Sequence, residues 1–506
     1  VILATAGGRV TLDPRTPVVI GGGQWSNRVD RGESPVEPVD LIAGALRRAA
    51  EDTGSPRDVL VSADSVWIVQ MLSWRYADPA ALVAQCLGAT PRDTAVTPMG
   101  GNEPQVLLNQ ACRDIAAGQR DLVLIGGAEA WRSRAAQGGK ELGWTPQRDD
   151  DEPARRTGDE APLNHPAEMA RQVLMPTQVY PLFEQALRHA AGRSVDEHLV
   201  HVSELWSRFS QVAAGNPHAW LQQALTAEEI RTPSPTNRWI WWPYTKVMNS
   251  NNAVEQGAGV IVASVERAEA LGVPRDRWIF PLAGAEAHDH YAVSHRADLR
   301  SSPAIRHAGR ALFSLAGVGI DDVAHVDLYS CFPSAVQVGA AELGLGADRD
   351  LTVTGGLSFA GGPWNNYVSH SMAAMLGVLR DDPGSIGLVT ANGGYLTKHA
   401  LTLYSTEPPP TDQGFRWTSV QDEVDEGPRR EVCERLESGQ PGEIESWVVG
   451  HDREGRPERA VAAVLLDDGR RAWADSTHAD TLTELTSGTE QIGRAVKLSP
   501  EGALLL

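Results

Sequence analysis

Covalent acyl chemistry needs a thiol or hydroxyl as nucleophile and a base such as imidazole, and Cys331, His370 and His399 are among the four cysteines and fourteen histidines of this 506-residue chain that could supply them. Each also has a structural reading. Cys331, between Ser330 and Phe332, has the surroundings of a small buried hydrophobe. His370 in "YVSHSMAAM" and His399 in "LTKHALTLY" sit among apolar residues and are expected on helices, where such histidines are commonly structural. Lys398 is placed either to neutralise a phosphate or polarise a carbonyl, or to extend into solvent. Backbone supplies a second set of groups. Gly101-Asn102 precedes a helix, so free N–H groups and the helix dipole point outward there. Asn392-Gly393-Gly394 lets main chain come close to a ligand. Trp364 either walls a pocket or fills core, and "WIWWPY" at 239–244 is too aromatic for an exposed loop, so it is expected to pack a lid. Arg148, Arg155 and Arg156 either meet ligand phosphates or, among aspartates, form a solvated face.

The elements that must carry these residues follow a pattern that occurs twice. Residues 104–129 and 366–395 each read as an amphipathic helix, a tight break, a short apolar strand and a Gly-Gly turn. In the first copy Leu107, Leu108, Ala111, Cys112 and Ile115 recur at helical spacing, and Gly118 stands where a helix end needs positive φ. In the second, Met372, Met375, Leu376 and Leu379 form the face and Asp382-Pro383-Gly384 stops the helix. Such a repeat fits a duplicated α/β unit with a site where the halves meet, or simply two βαβ units that look alike.

The first half is expected over 16–278 and contains a long irregular stretch at 130–250, which reads as a lid or subdomain with helices at 180–193 and 199–213. The second half spans 279–406. The triple proline at 408–410 ends the α/β texture, and 412–506 reads as a small antiparallel β domain, a five-stranded barrel in outline, folding independently beside the cleft.

Composition is that of an ordinary globular protein, 42% hydrophobic and 22% charged. The formal net charge of −20 argues against a nucleic-acid partner but leaves room for a small anionic ligand held by local cations. No apolar run is long enough for a membrane span, and an export signal is not legible. Cys86, Cys112, Cys331 and Cys433 are scattered without a CxxC pair, so neither a disulfide framework nor a structural zinc site is expected, and a cytoplasmic location is the default.

Taken in order, "IAAGQRDLVLIGGAEA", "VDLYSCFPSAV", "GGLSFAGGPWNN" and "TANGGYLTKHA" resemble the catalytic-loop regions of the thiolase superfamily, over roughly residues 16–405. The branch most similar is the actinobacterial thiolase-like group related to acetyl-CoA acetyltransferase, which carries an extra C-terminal β domain. The resemblance implies a duplicated five-layer αβαβα fold plus a small all-β, OB-like domain. It also implies coenzyme A or an acyl-CoA as ligand, with no tightly bound cofactor, and a place in lipid metabolism. Carried over residue by residue, the nucleophilic cysteine falls on Gly101, the Gly-His-Pro histidine on Gly362, the polar residue of the Asn-Glu-Ala-Phe loop on Tyr329, and the fourth loop's cysteine on Thr390. A glycine supplies neither nucleophile nor base. The ligand is then expected against Gly101, Asn102, Trp364, Asn392, Gly393, Gly394 and Lys398.

Three functions remain open at this point. The chain is a CoA-binding protein without ordinary thiolase chemistry, or an acyltransferase or carbon–carbon lyase using Cys331, His370 or His399 in new roles. In the third, it is a scaffold recruiting a protein partner through its C-terminal domain. Monomer and homodimer are both compatible with the sequence.

Overall fold

Residues 2–5, 8–136, 142–146, 155–158, 160–346, 348–410 and 414–506 are described by a computed structural model of the chain. Two helices form its central layer, Glu103–Ala116 and Tyr367–Asp381. Each touches strands of two different sheets. The helix Glu103–Ala116 was expected to be amphipathic, yet it is buried nearly all round. Leu107, Leu108, Ala111, Cys112 and Ile115 are buried, and so are the polar Gln105 and Asn109. A helix enclosed on every side must satisfy its polar groups internally. Gln105 donates to Thr402 Oγ1 at 2.8 Å and accepts from the Tyr404 hydroxyl at 3.0 Å, and Asn109 donates to Glu286 Oε1 at 2.8 Å. The polar face that sequence periodicity assigns to solvent is therefore the face that reads the second sheet.

The first sheet has six strands in the order Pro17–Ser26, Glu255–Ser264, Leu122–Ala130, Ser65–Ile68, Asp93–Val96, Arg155–Arg156. The second has five, ordered Val323–Asp327, Ile386–Gly393, Lys398–Ser405, Phe280–His288, Arg416–Ser419. Helix Pro38–Asp52 covers the outside of the first sheet and Pro303–Ala316 the outside of the second. This gives the five αβαβα layers, and in each half the central helix feeds the strand that follows it in sequence. Gly118, at φ 73°, turns the chain after the first central helix as its position suggests.

The C-terminal part is an antiparallel all-β sheet, in the order Arg471–Ser476, Pro457–Leu466, Gln440–His451, Ala495–Leu498, Leu504–Leu505. It packs on the rest of the chain and shares its sheet with the lid region. The aromatic segment Trp239–Trp242 pairs with its strand Gln440–His451, so the lid region contributes strands to the same sheet. Arg416–Ser419 lies beside Phe280–His288 and belongs to the second half's sheet, while residue 412 lies outside the described residues. Val448, Val461, Ala463 and Trp473 are packed into the main hydrophobic core. The triple proline marks the change of texture between the α/β part and this sheet.

Arg471 fixes this junction. It is fully buried, pairs with Glu445 through two hydrogen bonds of 2.6 Å, and donates to the carbonyls of Val293, Ser294 and Arg296 at 2.8–3.1 Å. Removing one partner of a buried pair leaves the other charge and several acceptors unsatisfied. We expect Arg471→Ala to lower unfolding free energy by about 3–5 kcal/mol, read by urea denaturation. A change within ~0.5 kcal/mol, the range of an ordinary surface substitution, would contradict this packing.

Candidate functional site

The ends of the two central helices and the loops between the halves enclose a cleft of about 300 Å³. Its floor is main chain: Gly100 and Gly101 from the first half, Asn392, Gly393 and Gly394 from the second. Its walls are aromatic and apolar, with Tyr180, Tyr329, Phe332, Leu357 and Trp364. Of the residues expected at a ligand from sequence, Gly101, Cys331, Trp364, Asn392, Gly393 and Gly394 line this cleft.

Gly101 admits no side chain here. A Cβ on it would lie well inside contact distance of the Tyr329 hydroxyl and 2.5 Å from the Asn392 carbonyl oxygen. Gly362 is filled in the same way: a Cβ there would collide with Ser250 Oγ, which with Asn252 also lines the cleft. The two glycines are therefore not vacant positions. Their space has been taken over by a phenol and a serine hydroxyl from elsewhere. Thr390, at the position matched to a cysteine, holds the Tyr329 amide through its Oγ1 at 2.9 Å.

Among the described residues the Tyr329 hydroxyl makes no hydrogen bond. Burial holds its pKa well above the usual phenol value, so it stays a proton donor facing the cleft. Cys331 lines the cleft too, but burial pushes its thiol up to about 12, and its near neighbour is the Asn392 amide at 3.8 Å. A thiol in that state is a poor nucleophile at neutral pH.

The histidines are elsewhere. His370 lies on the second central helix, hydrogen-bonded by Nδ1 to Gln24 at 2.8 Å, and burial lowers its pKa to about 3. His399 is on the strand Lys398–Ser405 and not on a helix as expected. Every apolar neighbour that suggested helical spacing there also suits a strand buried on both faces. Its Nε2 lies 3.2 Å from the Leu396 carbonyl and 3.7 Å from Asp289, whose carboxylate is drawn down to about 2 by Arg296 and its hydrogen bonds despite its burial. No hydrogen bond links Cys331 to either histidine among the described residues.

Asn102 and Lys398 lie behind the floor and do not line it. Lys398 donates to the Met99 carbonyl and pairs with Glu103 at 3.6 Å. Asn102 donates to the same Glu103 at 3.0 Å, and a Cβ on either Gly100 or Gly393 would strike its amide oxygen. Together they hold the two glycine loops at a fixed separation. Burial outweighs the ammonium and raises the Glu103 carboxyl to about 7. Gly101 is next to the first helical turn, and its N–H makes no hydrogen bond among the described residues, which leaves a donor at the cleft floor.

Asn365 ties the third loop to the first. Its amide accepts from Gly100 N at 3.1 Å and donates to the Gln70 carbonyl at 2.8 Å. Trp364 stands beside it at φ 45°, unusual for tryptophan, and its ring separates the cleft from a neighbouring cavity of about 710 Å³ that it also lines. A larger outer groove of about 960 Å³ continues from the cleft past Thr177, Ser250 and Asn252, and carries Arg132 and Lys246. Sequence reasoning missed Tyr180. Its hydroxyl accepts from Asn392 and from Leu396 N, both at 2.9 Å, and its ring stacks on Phe332 at 4.4 Å. Nothing in a lone tyrosine on the helix Pro176–Ala190 announces that role. Arg155 pairs with Asp93 at the edge of the first sheet, Arg156 faces Glu160, and Arg148 lies outside the described residues. Among the described residues, no cluster of three or more metal-ligating side chains occurs, and no helix is long and apolar enough to cross a membrane.

Residues 285–350 match the family described as thiolase C-terminal domain-like, and residues 419–503 match the additional C-terminal domain of thiolase-like protein type 1. Among solved structures, the chain is similar to a monomeric SCP2-thiolase-like protein type 1 from Mycobacterium smegmatis. The two share 31% identity over 98% of this chain and 100% of that one, with a TM-score of 0.83. The Ltp2-ChsH2(DUF35) aldolase matches at 19% identity and TM-score 0.58, over 78% of this chain and 99% of that one. The dimeric peroxisomal thiolase of Saccharomyces cerevisiae matches at 15% and 0.54, over 79% and 99%. These two show the fold alone. No curated protein matches the chain.

Two outcomes follow from this geometry. Gly101→Ala is expected to cost about 1–3 kcal/mol of stability, as overpacking does. Tyr329→Phe is expected to recover part of that cost in a double-mutant cycle, and strict additivity would mean the two groups do not touch. Glu103 binds its proton more tightly in the folded chain, with a pKa of about 7 against 4.5. The folded state then holds more protons between those values, and stability falls as pH rises from about 4.5 to about 7. Glu103→Gln should flatten that slope in denaturation measured across the window; an unchanged slope would place the titration elsewhere.

Proposed function

The chain belongs to the thiolase-like protein type 1 family, and we propose that it binds coenzyme A thioesters in the cleft between its halves without forming an acyl-enzyme. The observation that carries this reading is the occupation of the nucleophile's space by the Tyr329 hydroxyl. A cleft that merely lacked a cysteine would be a damaged enzyme. One whose vacated volume is filled by a protonated phenol, with Gly101 N–H beside it, is a site built to donate hydrogen bonds to a carbonyl oxygen. The outer groove with Arg132 and Lys246 supports the same reading, because it offers cations at a distance from the thioester end, where an anionic nucleotide would lie. Loss of a covalent nucleophile leaves only positioning and oxyanion stabilisation, which are orders of magnitude weaker.

A second reading has one specific observation in its favour. The free Tyr329 hydroxyl polarises a thioester carbonyl and thereby assists carbon–carbon cleavage or acyl transfer that needs no enzyme-bound acyl group. Cys331, His370 and His399 take no part in it as a set, because they are not joined. A scaffolding role through the C-terminal sheet gains nothing from the cleft's donors. Both halves of the site come from one chain, so a monomer suffices. Four free cysteines suit a reducing compartment, and we place the protein in the cytoplasm on that ground.

Coenzyme A is expected to raise the melting temperature in proportion to the logarithm of its concentration above Kd. Absence of any shift and of any calorimetric signal at millimolar concentrations, on the order of the weakest specific affinities, would overturn the reading. Thiolysis of acetoacetyl-CoA is expected to fall below the ordinary range of about 1–1000 per second, and turnover inside that range would equally contradict it.

A further inference from the structure

Among the described residues, large hydrophobic side chains are seldom exposed, and three of the eight that are lie within one short segment: Met169 at 57%, Leu174 at 42% and Met175 at 48%. Leu174 and Met175 are at once exposed and part of the cleft wall, together with the half-buried Leu163. Scattered exposed apolar residues need no explanation, but a cluster continuous with a cavity does. The cleft, at about 300 Å³, is at the small end for a ligand pocket and must also admit the thioester stem. An extended apolar group therefore has to leave it.

The segment that forms this mouth is held from two sides. From the cleft, the Tyr395 hydroxyl donates to the Leu174 carbonyl at 2.6 Å. From the C-terminal sheet, Arg459 donates to the Arg171 carbonyl at 2.6 Å and to Gln172 Oε1 at 3.1 Å. Gln172 sits at φ 49°, a left-handed conformation that a non-glycine residue keeps only when its surroundings fix it. Trp473, also on that sheet, donates to Ser294 Oγ at 2.7 Å. Ser294 in turn donates to the buried Glu168, which caps the short helix at the base of the segment by accepting from His165 N at 3.1 Å. The lid thus carries the apolar residues, and the C-terminal sheet sets where they stand.

We infer that Leu174, Met175 and Leu163 form an exit through which an extended apolar acyl chain leaves the cleft, and that Arg459 of the C-terminal sheet is a positioning residue for it. The inference rests on the thioester reading above and names the class of acyl group. It assigns the C-terminal sheet a part in acyl selectivity, although none of that sheet's residues lines the cleft.

The test compares acetyl-CoA with decanoyl-CoA by calorimetry on the full chain. The wild type should prefer decanoyl-CoA by at least about tenfold, given the favourable burial of each added methylene. Met175→Glu and Leu174→Ser should each collapse that ratio to about threefold or less, since they remove apolar contact at the exit. Arg459→Ala should reduce the ratio with little change in melting temperature, and Arg459→Lys, which keeps a donor for Arg171, should restore part of it. A purely structural role would shift melting temperature and leave the ratio alone. Equal affinities in the wild type, or a ratio untouched by both exit substitutions, would overturn the inference. S-decanoyl-N-acetylcysteamine separates it from the CoA reading. If this nucleotide-free thioester binds more tightly than its acetyl counterpart while CoA fails to bind, the exit stands and the CoA reading falls; if CoA binds and the chain adds nothing, the reverse holds.

Discussion

Tyr329 can reach the cleft floor only because residue 101 has no side chain. The phenol, the Asn392 carbonyl and the main chain of Gly101 are packed so closely that a single added carbon would collide with two of them. That contact couples the halves, since Gly101 opens the first central helix while Tyr329 and Asn392 come from the second half. The arrangement places a hydroxyl donor where a side chain on residue 101 would otherwise stand. Its consequence runs through the site: Thr390 becomes a prop for the Tyr329 amide, Cys331 stays a protonated thiol, and His370 is held by Gln24 inside the packing between layers.

The same economy of space explains the polar groups beneath the floor. Glu103 and Asn102 are buried and Lys398 is turned to Glu103 and the Met99 carbonyl, so the three span the gap between the Gly100 and Gly393 loops without lining the cleft. A buried carboxyl of raised pKa is costly to ionise, and it persists here because its partners fix the separation of two loops that have no side chains of their own to pack. The C-terminal sheet supplies a comparable constraint on the outer side. Through Arg471 and Trp473 it grips the turn at Val293–His295, and through Arg459 it grips the lid.

The fold was legible where chain-local chemistry determines it. The repeated helix–strand units and Gly118 as a helix end are both local signals. What was not legible depends on contacts distant in sequence. The segment Trp239–Trp242 is aromatic enough to suggest packing, but no local feature says that its partner strand begins two hundred residues later. Arg416–Ser419 follows the triple proline and still returns to the second half's sheet, because a proline break constrains the chain locally and not its destination. His399 was expected on a helix since a strand buried on both faces loses the alternation that would identify it. Tyr180 and Arg459 carry roles that only their three-dimensional partners reveal.

Taken together, these contacts describe a thiolase-fold cleft, and the reading proposed for it is non-covalent recognition of a thioester in place of covalent acyl transfer. Intact-protein mass spectrometry after incubation with radiolabelled acetyl-CoA, paired with equilibrium dialysis of the same sample, tests that reading most directly. The account requires saturable label in dialysis and an unmodified protein mass after denaturation. A stoichiometric acetyl adduct that survives denaturation, and disappears in Cys331→Ser, would contradict it.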